Sequence, residues 1–139
     1  MRLHKDRKAE LIASAPLFSS CSKKELRVIA SIADEIDLRP GKVLMSQGAP
    51  GREFFVLLEG EVEVEQNGKR IKTLGAGEFF GEMALLSNKP RNATITALTP
   101  IRVLVINARD FRQLLRDDPH VSLKVLSAVA DRLPHEDSH

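Results

Sequence analysis

Residues 61–65 read Glu-Val-Glu-Val-Glu and run through Gln66 into Asn67-Gly68. A strict period of two places Val62 and Val64 on one face of a strand and the glutamates on the other. Asn-Gly is the dipeptide that accepts the backbone conformation of a two-residue hairpin turn. The chain must therefore fold back on itself here and bury one face. The rest of its middle keeps the same rhythm. Short β-type runs at 42–45, 53–58, 70–74, 93–98 and 101–106 are separated by glycine or proline, the spacing of a sandwich or barrel. The run 54–58 lacks alternation, as expected for a strand covered on both faces.

The ends are helical. Residues 5–14 read as a first helix closed by Pro16. Ser22 and Glu25 form a capping box that starts a second helix near Lys23, with Leu26, Ile29, Ala30 and Ala33 at helical spacing. After the β section, Asn107 is placed to cap a helix carrying Phe111, Leu114 and Leu115. Asp118-Pro119 then opens a last helix with Val125, Leu126, Val129 and Leu133 on one stripe, ended by Pro134. The expected fold is mainly β: an antiparallel β-roll, a jelly-roll-like double-stranded barrel, flanked by N- and C-terminal helices. With 139 residues, 42% hydrophobic and 29% charged, one domain spanning 1–139 is expected. Its parts are N-terminal helices over about 5–32, a roll over about 34–106 and C-terminal helices over about 108–133.

Charge and cysteine usage narrow the function classes. The 21 basic and 19 acidic residues are interleaved rather than gathered into a stripe, which argues against nucleic acid as a partner. Lys5, Arg7 and Lys8 alternate with Asp6 and Glu10 and read as a solvated helix face. Cys21 is the sole cysteine, which excludes an internal disulfide, suits a reducing cytoplasmic setting and reads as a buried or half-buried spectator thiol. No apolar run approaches the length that spans a bilayer, so membrane insertion is not expected.

One segment interrupts the β rhythm. In 79–94, FFGEMALLSNKPRNAT, a brief strand ends at Phe80, Gly81 follows, and 81–87 has the composition of a short helix. Strand, glycine, helix start is a phosphate-binding geometry, because free N–H groups point at an anion and glycine admits it to the backbone. Arg91 carries the planar fork that matches phosphate oxygens. Glu82 would repel a phosphate but accept from a neutral donor such as a sugar hydroxyl. A ligand with one phosphate charge, a nearby hydroxyl and an apolar body satisfies both, and a cyclic nucleotide has that combination. The alternative is a surface ion pair between Glu82 and Arg91, worth about 0 to 1 kcal/mol. A metalloenzyme barrel would need histidines on strands, whereas His4, His120, His135 and His139 all lie in the terminal helices or tail. No catalytic cluster is left, and no enzyme, cofactor or metal site is expected.

Two motifs, GAPGREFFVLLEG at 48–60 and FGEMAL followed by RNATITA within 80–97, resemble the cyclic nucleotide-binding domain family. That family includes catabolite activator protein, protein kinase A regulatory subunits and cyclic nucleotide-gated channels. The resemblance covers about residues 10–133. It implies a ligand, cAMP or cGMP, with Arg91 on the cyclic phosphate and Glu82 on the ribose 2′-hydroxyl. Phe80, Gly81, Met83, Ala84 and Ala93 fall at positions that wrap the sugar-phosphate. Val64 falls at an apolar wall against the purine, or is plain core. Asn92 departs from the family's usual Ser, Thr, Ala or Gln, and either touches the ligand or stabilises the turn. Arg132, in VADRL, matches an arginine that meets the base in pacemaker-type channels, or is a solvated helix residue. The resemblance further implies a regulatory or sensory module whose C-terminal helix closes as a lid over the ligand, with the stripe of Val125, Leu126 and Val129 suited to that role. The effector is unnamed: a partner protein or a linked domain. The chain ends too soon after Leu133 for the helix-turn-helix of catabolite activator relatives. The run 15–18, APLF, is similar to the entry of this domain in bacterial potassium channels, so a cytoplasmic channel fragment and a free-standing module both fit. An apo protein-interaction scaffold of the same fold is the third reading.

Overall fold

The structure, a computed structural model, describes residues 2–83 and 89–132. Helix α1 (Arg2–Ala13) leads through a 3-10 turn (Pro16–Phe18) into α2 (Lys23–Ser31). The strands follow: β1 (Ala33–Leu38), β2 (Val43–Met45), β3 (Glu53–Glu59), β4 (Val62–Gln66), β5 (Lys69–Leu74), β6 (Phe79–Phe80), β7 (Thr94–Ala97) and β8 (Ile101–Asn107). Helices α3 (Ala108–Asp117) and α4 (Pro119–Arg132) close the described chain. The described strands form two antiparallel sheets, ordered β1-β8-β3-β6 and β2-β7-β4-β5, the two walls of a β-roll. Helix and strand contribute about equally to the described residues.

Local signals set the boundaries. The Ser22 hydroxyl accepts from the Glu25 N–H at 3.1 Å while the Glu25 carboxylate accepts from the Ser22 N–H at 2.7 Å, the reciprocal capping box. Asn107 Oδ1 accepts from the N–H groups of Arg109 and Asp110, and Asp118 Oδ1 does the same for His120 and Val121. Asn67 and Gly68 both have positive φ, 53° and 81°, so the β4–β5 hairpin turns through two residues as its dipeptide requires.

The β3 strand divides the interior. Phe54, Val56 and Leu58 pack outward with α1, α2, α3 and α4, in a cluster that includes Ile12, Phe18, Ile29, Phe111 and Val125. Phe54 stacks on Phe111 with ring centroids 5.2 Å apart. Phe55 and Leu57 point the other way, into the space between the sheets, with Val62, Val64, Phe80, Ala93, Ile95 and Val103. This two-sided burial accounts for the missing alternation in 54–58.

Several expectations are corrected. Ala33 is not the end of the α2 stripe. It opens β1 and pairs with Ile106, because α2 stops at Ser31 and the acidic run 34–37 finds a hydrogen-bonding ladder on β8. Lys8 is not a solvated residue: its Nζ donates to the carbonyls of Ala30 (3.1 Å) and Ala33 (2.6 Å), where the end of α2 passes into β1. In α4 the inward stripe is Val121, Val125 and Ala128, while Leu126 is 48% exposed. A four-residue step from Val121 reaches Val125, and Leu126 lies about 100° further round the helix. The side chain of Val129, and Leu133 and Pro134 altogether, lie outside the described residues. Cys21 is half-buried, and burial pushes its thiol pKa up.

Candidate functional site

The site is built where the loop before β3 meets the segment before β7. The Arg91 N–H donates to the Ala49 carbonyl at 2.8 Å, and the Gly48 N–H donates to the Arg91 carbonyl at 2.8 Å. The 48–60 motif thus holds the arginine of the 79–94 segment by its backbone. Side-chain contacts complete the seat. Arg91 Nη2 donates to the Glu53 carbonyl at 2.9 Å, Nη1 makes a long 3.5 Å bond to the Gly81 carbonyl, and Cζ lies 5.8 Å from the Phe55 ring centroid. Two glycines make this seat possible. A Cβ on Gly51 would stand 3.1 Å from three Arg91 side-chain atoms. A Cβ on Gly81, which has φ +83°, would stand 2.8 Å from the Glu53 carbonyl oxygen and 3.0 Å from Arg91 Nη1.

Arg91 is only 8% exposed, the one buried charged residue among the described residues. Its nitrogens face carbonyls, not acids: among the described residues it forms no salt bridge. Burial pulls its pKa below the usual guanidinium value, and the fields of Glu53 and Glu82 offset that only in part. The expected alternative, a direct Glu82–Arg91 ion pair, is therefore not formed. Glu82 is half-buried and its side chain bonds to none of the described residues, yet it lines the same cavity as Arg91. That cavity, about 330 Å³ with its open mouth, is also bordered by Met45, Gly51, Gly81, Met83, Lys89, Pro90 and Asn92. A buried cation held by carbonyls and a carboxylate with no hydrogen-bond partner among the described residues share one concave surface. Such a surface can take an anion at one end and a neutral hydroxyl donor at the other.

The other expected residues fall as follows. Phe80 is buried in β6 and stacks on Phe55 at 5.0 Å, supporting the ring beneath Arg91. Ala93 is buried at the start of the β7 row. Val64 lies in the roll interior at 7% exposure, on the face that continues from Ala93. Met83 is exposed at the rim. Asn92 borders the cavity, and its backbone carbonyl accepts from Gln66 Nε2 at 3.0 Å. Ala84, most of the expected 81–87 helix and the Arg132 side chain lie outside the described residues. Sequence reasoning missed Ala49, Gly51, Glu53 and Phe55 as the seat of Arg91. The only local signal was the pair of glycines at 48 and 51, because the contacts span about forty residues. Among the described residues no His, Cys, Asp and Glu group is arranged to hold a metal, and no helix is long and apolar enough to cross a membrane.

A family model described as the cyclic nucleotide-binding domain matches residues 35–118. A cyclic nucleotide-gated potassium channel of Rhizobium etli is 33% identical over 123 residues, covering 88% of this chain and 34% of the channel. A cAMP-dependent protein kinase regulatory subunit of Schizosaccharomyces pombe is 34% identical over 133 residues, covering 90% of this chain and 32% of that protein. The chain thus spans about a third of the length of these relatives. Among solved structures, the N-terminal domain of a transcriptional regulator from Streptomyces coelicolor A3(2) is 30% identical, with a TM-score of 0.73. The match covers 88% of this chain and 91% of that one. The chain belongs to the cyclic nucleotide-binding domain family.

Proposed function

We propose that this chain, one domain over residues 1–139, is a cytoplasmic regulatory module that binds a cyclic nucleotide, cAMP foremost, with Arg91 on the cyclic phosphate and Glu82 on the ribose 2′-hydroxyl. The observation that carries this reading is the buried Arg91 guanidinium, which is bonded to two carbonyls and to no described carboxylate. A phosphate monoanion would supply the countercharge that the fold withholds. Each charge-assisted bond to the ligand contributes about 1.5 to 3 kcal/mol. Glu82, on the same cavity, would accept from the ribose while the backbone around Gly81, Met83 and Ala84 follows the sugar-phosphate. Val64 would wall the purine, and Asn92 sits close enough to the arginine to adjust the turn or touch the ligand. The names of the relatives support the ligand class. One is a cyclic nucleotide-gated channel and another a cAMP-dependent kinase regulatory subunit.

Signalling would run through α4. Its solvent side carries Leu123 and Leu126, exposed by 69% and 48%. A helix with apolar residues on both sides can exchange its present packing for contact with a bound base, and Arg132 at its end would then approach the purine. Closure is a population shift, limited to the ligand's preference for the closed state. The effector is a protein or linked domain. The match to the Rhizobium etli channel over 88% of this chain favours a channel as one such parent.

Calorimetric titration of cAMP and cGMP, side by side, into the wild type and Arg91→Ala tests the reading. Micromolar or tighter binding by the wild type and none by Arg91→Ala is expected. Unchanged affinity in the variant would sink the site.

A further inference from the structure

The β4–β5 hairpin carries an irregularity that decides which residues face the ligand. Val62 pairs with Leu74, Glu63 with Thr73 and Val64 with Lys72, but Glu65 pairs with Arg70, so Ile71 is an extra residue in β5. Directly opposed residues share a face of a sheet. Val62, Val64 and Leu74 are buried in the roll interior, which places Lys72 on that inner face. Arg70 would share Lys72's face in a regular strand. It instead lies on the outer face, where its Nε donates to the Glu63 carboxylate at 2.6 Å. The bulge is therefore what turns Lys72 inward while Arg70 stays outside. Of the inner-face row, Lys72 is the exposed member, at the open edge of the sheet. Among the described residues its ammonium has no hydrogen-bond or ion-pair partner.

The row leads back to the site. Val64 also pairs with Ile95, so Ile95, Val64 and Lys72 cross the sheet over about 10 Å, two strand spacings. Arg91, Ala93 and Ile95 alternate onto the same inner side, all of them buried. A ligand anchored by its phosphate at Arg91 and lying over Val64 would carry its base toward Lys72.

Resting on the binding mode proposed above, we infer that the Lys72 ammonium reads the purine edge and makes cGMP a ligand of this site alongside cAMP. An ammonium has three donors and no acceptor. Guanine presents two adjacent acceptors on its outer edge, O6 and N7, whereas adenine presents N7 beside the N6 donor. Lys72 thus meets guanine with two acceptors and adenine with one acceptor and a mismatched donor. Arg70 takes no part, because Glu63 holds it on the other face.

The test is the titration of cAMP and cGMP into four proteins: wild type, Lys72→Met, Lys72→Arg and Arg70→Met. Methionine keeps the length of the side chain and removes the charge. Lys72→Met raises the ratio Kd(cGMP)/Kd(cAMP) by about fivefold or more, the lower end of what a base-edge contact discriminates. Lys72→Arg, with a fork that fits O6 and N7, keeps or lowers the ratio. Arg70→Met, which removes a charge from the outer face of the same strand, leaves it unchanged. An unaltered ratio in Lys72→Met, or an equal loss of both nucleotides, overturns the inference while leaving the site reading intact, provided Arg91→Ala still abolishes binding. Binding that survives in Arg91→Ala, or none in the wild type, overturns the site reading and the placement of Lys72 together.

Discussion

Two arginines of this molecule have opposite surroundings. Arg102, on β8, is ringed by acids: its Nε lies 2.9 Å from Asp37 and 3.3 Å from Glu35, and its Nη1 lies 3.3 Å from Glu59. The hydrogen bond to Asp37 raises its pKa. Arg91 is more deeply buried, bonds only to carbonyls, and has its pKa lowered by the loss of water. The first charge is neutralised within the fold and joins β1 and β3 to β8. The second has no carboxylate in contact with it among the described residues, in a place that disfavours charge. A fold tolerates such a group only if other interactions outweigh its desolvation, and a phosphate would relieve it. The contrast separates an arginine that holds the roll together from one that the proposed function assigns to a ligand.

Breaking the Arg91 side has the largest expected effect. Arg91→Lys keeps the charge but loses the fork, which cannot then serve the Glu53 carbonyl and a phosphate at once. Cyclic nucleotide affinity should fall by about 10- to 100-fold in a calorimetric titration, with a change in apo stability below about 1 kcal/mol. Gly81→Ala attacks the same seat through the backbone. A side chain at φ +83° and a Cβ at 2.8 Å from the Glu53 oxygen push both carbonyls that hold the guanidinium. Affinity should drop about tenfold, and urea denaturation should show a loss of about 1 to 3 kcal/mol. Arg102→Met reverses the pattern. Stability in urea falls slightly, as three carboxylates lose their shared cation in a solvent-screened setting, and nucleotide affinity stays within about twofold.

The smallest effect is one of pH. The hydrogen bond from Arg102 pulls the Asp37 pKa below its ordinary value of 3.8. Between the ordinary value and the depressed one, the unfolded chain binds more protons than the folded chain, so stability rises with pH through that window. The contribution is complete above the unfolded value and is lost as pH falls through the folded one. Thermal melts from pH 5 downward should therefore decline less steeply for Arg102→Met than for the wild type. Parallel curves would remove Arg102 as the cause.

What could be read along the chain were features whose partners lie within a few residues. The Ser22–Glu25 box, the Asn107 and Asp118 caps and the Asn67-Gly68 turn are all closed locally, and each stands where its residues placed it. Strand β1 escaped notice because its acidic residues carry no apolar period; its ladder with β8, nearly seventy residues away, makes it a strand. Lys8 looked like a surface lysine because its acceptors, at Ala30 and Ala33, become a target only once α1 packs on α2. In α4 the apolar residues were visible, but which side faces inward depended on where Phe18 and Phe111 had already filled the core.

The site divides along the same line. Glu82 and Arg91 stood out in sequence because a lone acid and a planar guanidinium in a largely apolar segment, beside a glycine at a helix start, raise a question that a ligand or an ion pair can answer. Composition and spacing also determined the roll, its hairpin and its helical flanks, since hydrophobic period, caps and turns act through neighbouring residues. Tertiary structure decided that the two charges stay apart and that Ala49, Gly51 and Glu53 form the seat of the arginine. It also decided that a bulge at Ile71 turns Lys72 toward the interior. The physical reason is common to all three. A countercharge, a carbonyl acceptor or the face of a strand is settled by whatever the fold brings within about 3 to 4 Å, and those neighbours are remote in sequence.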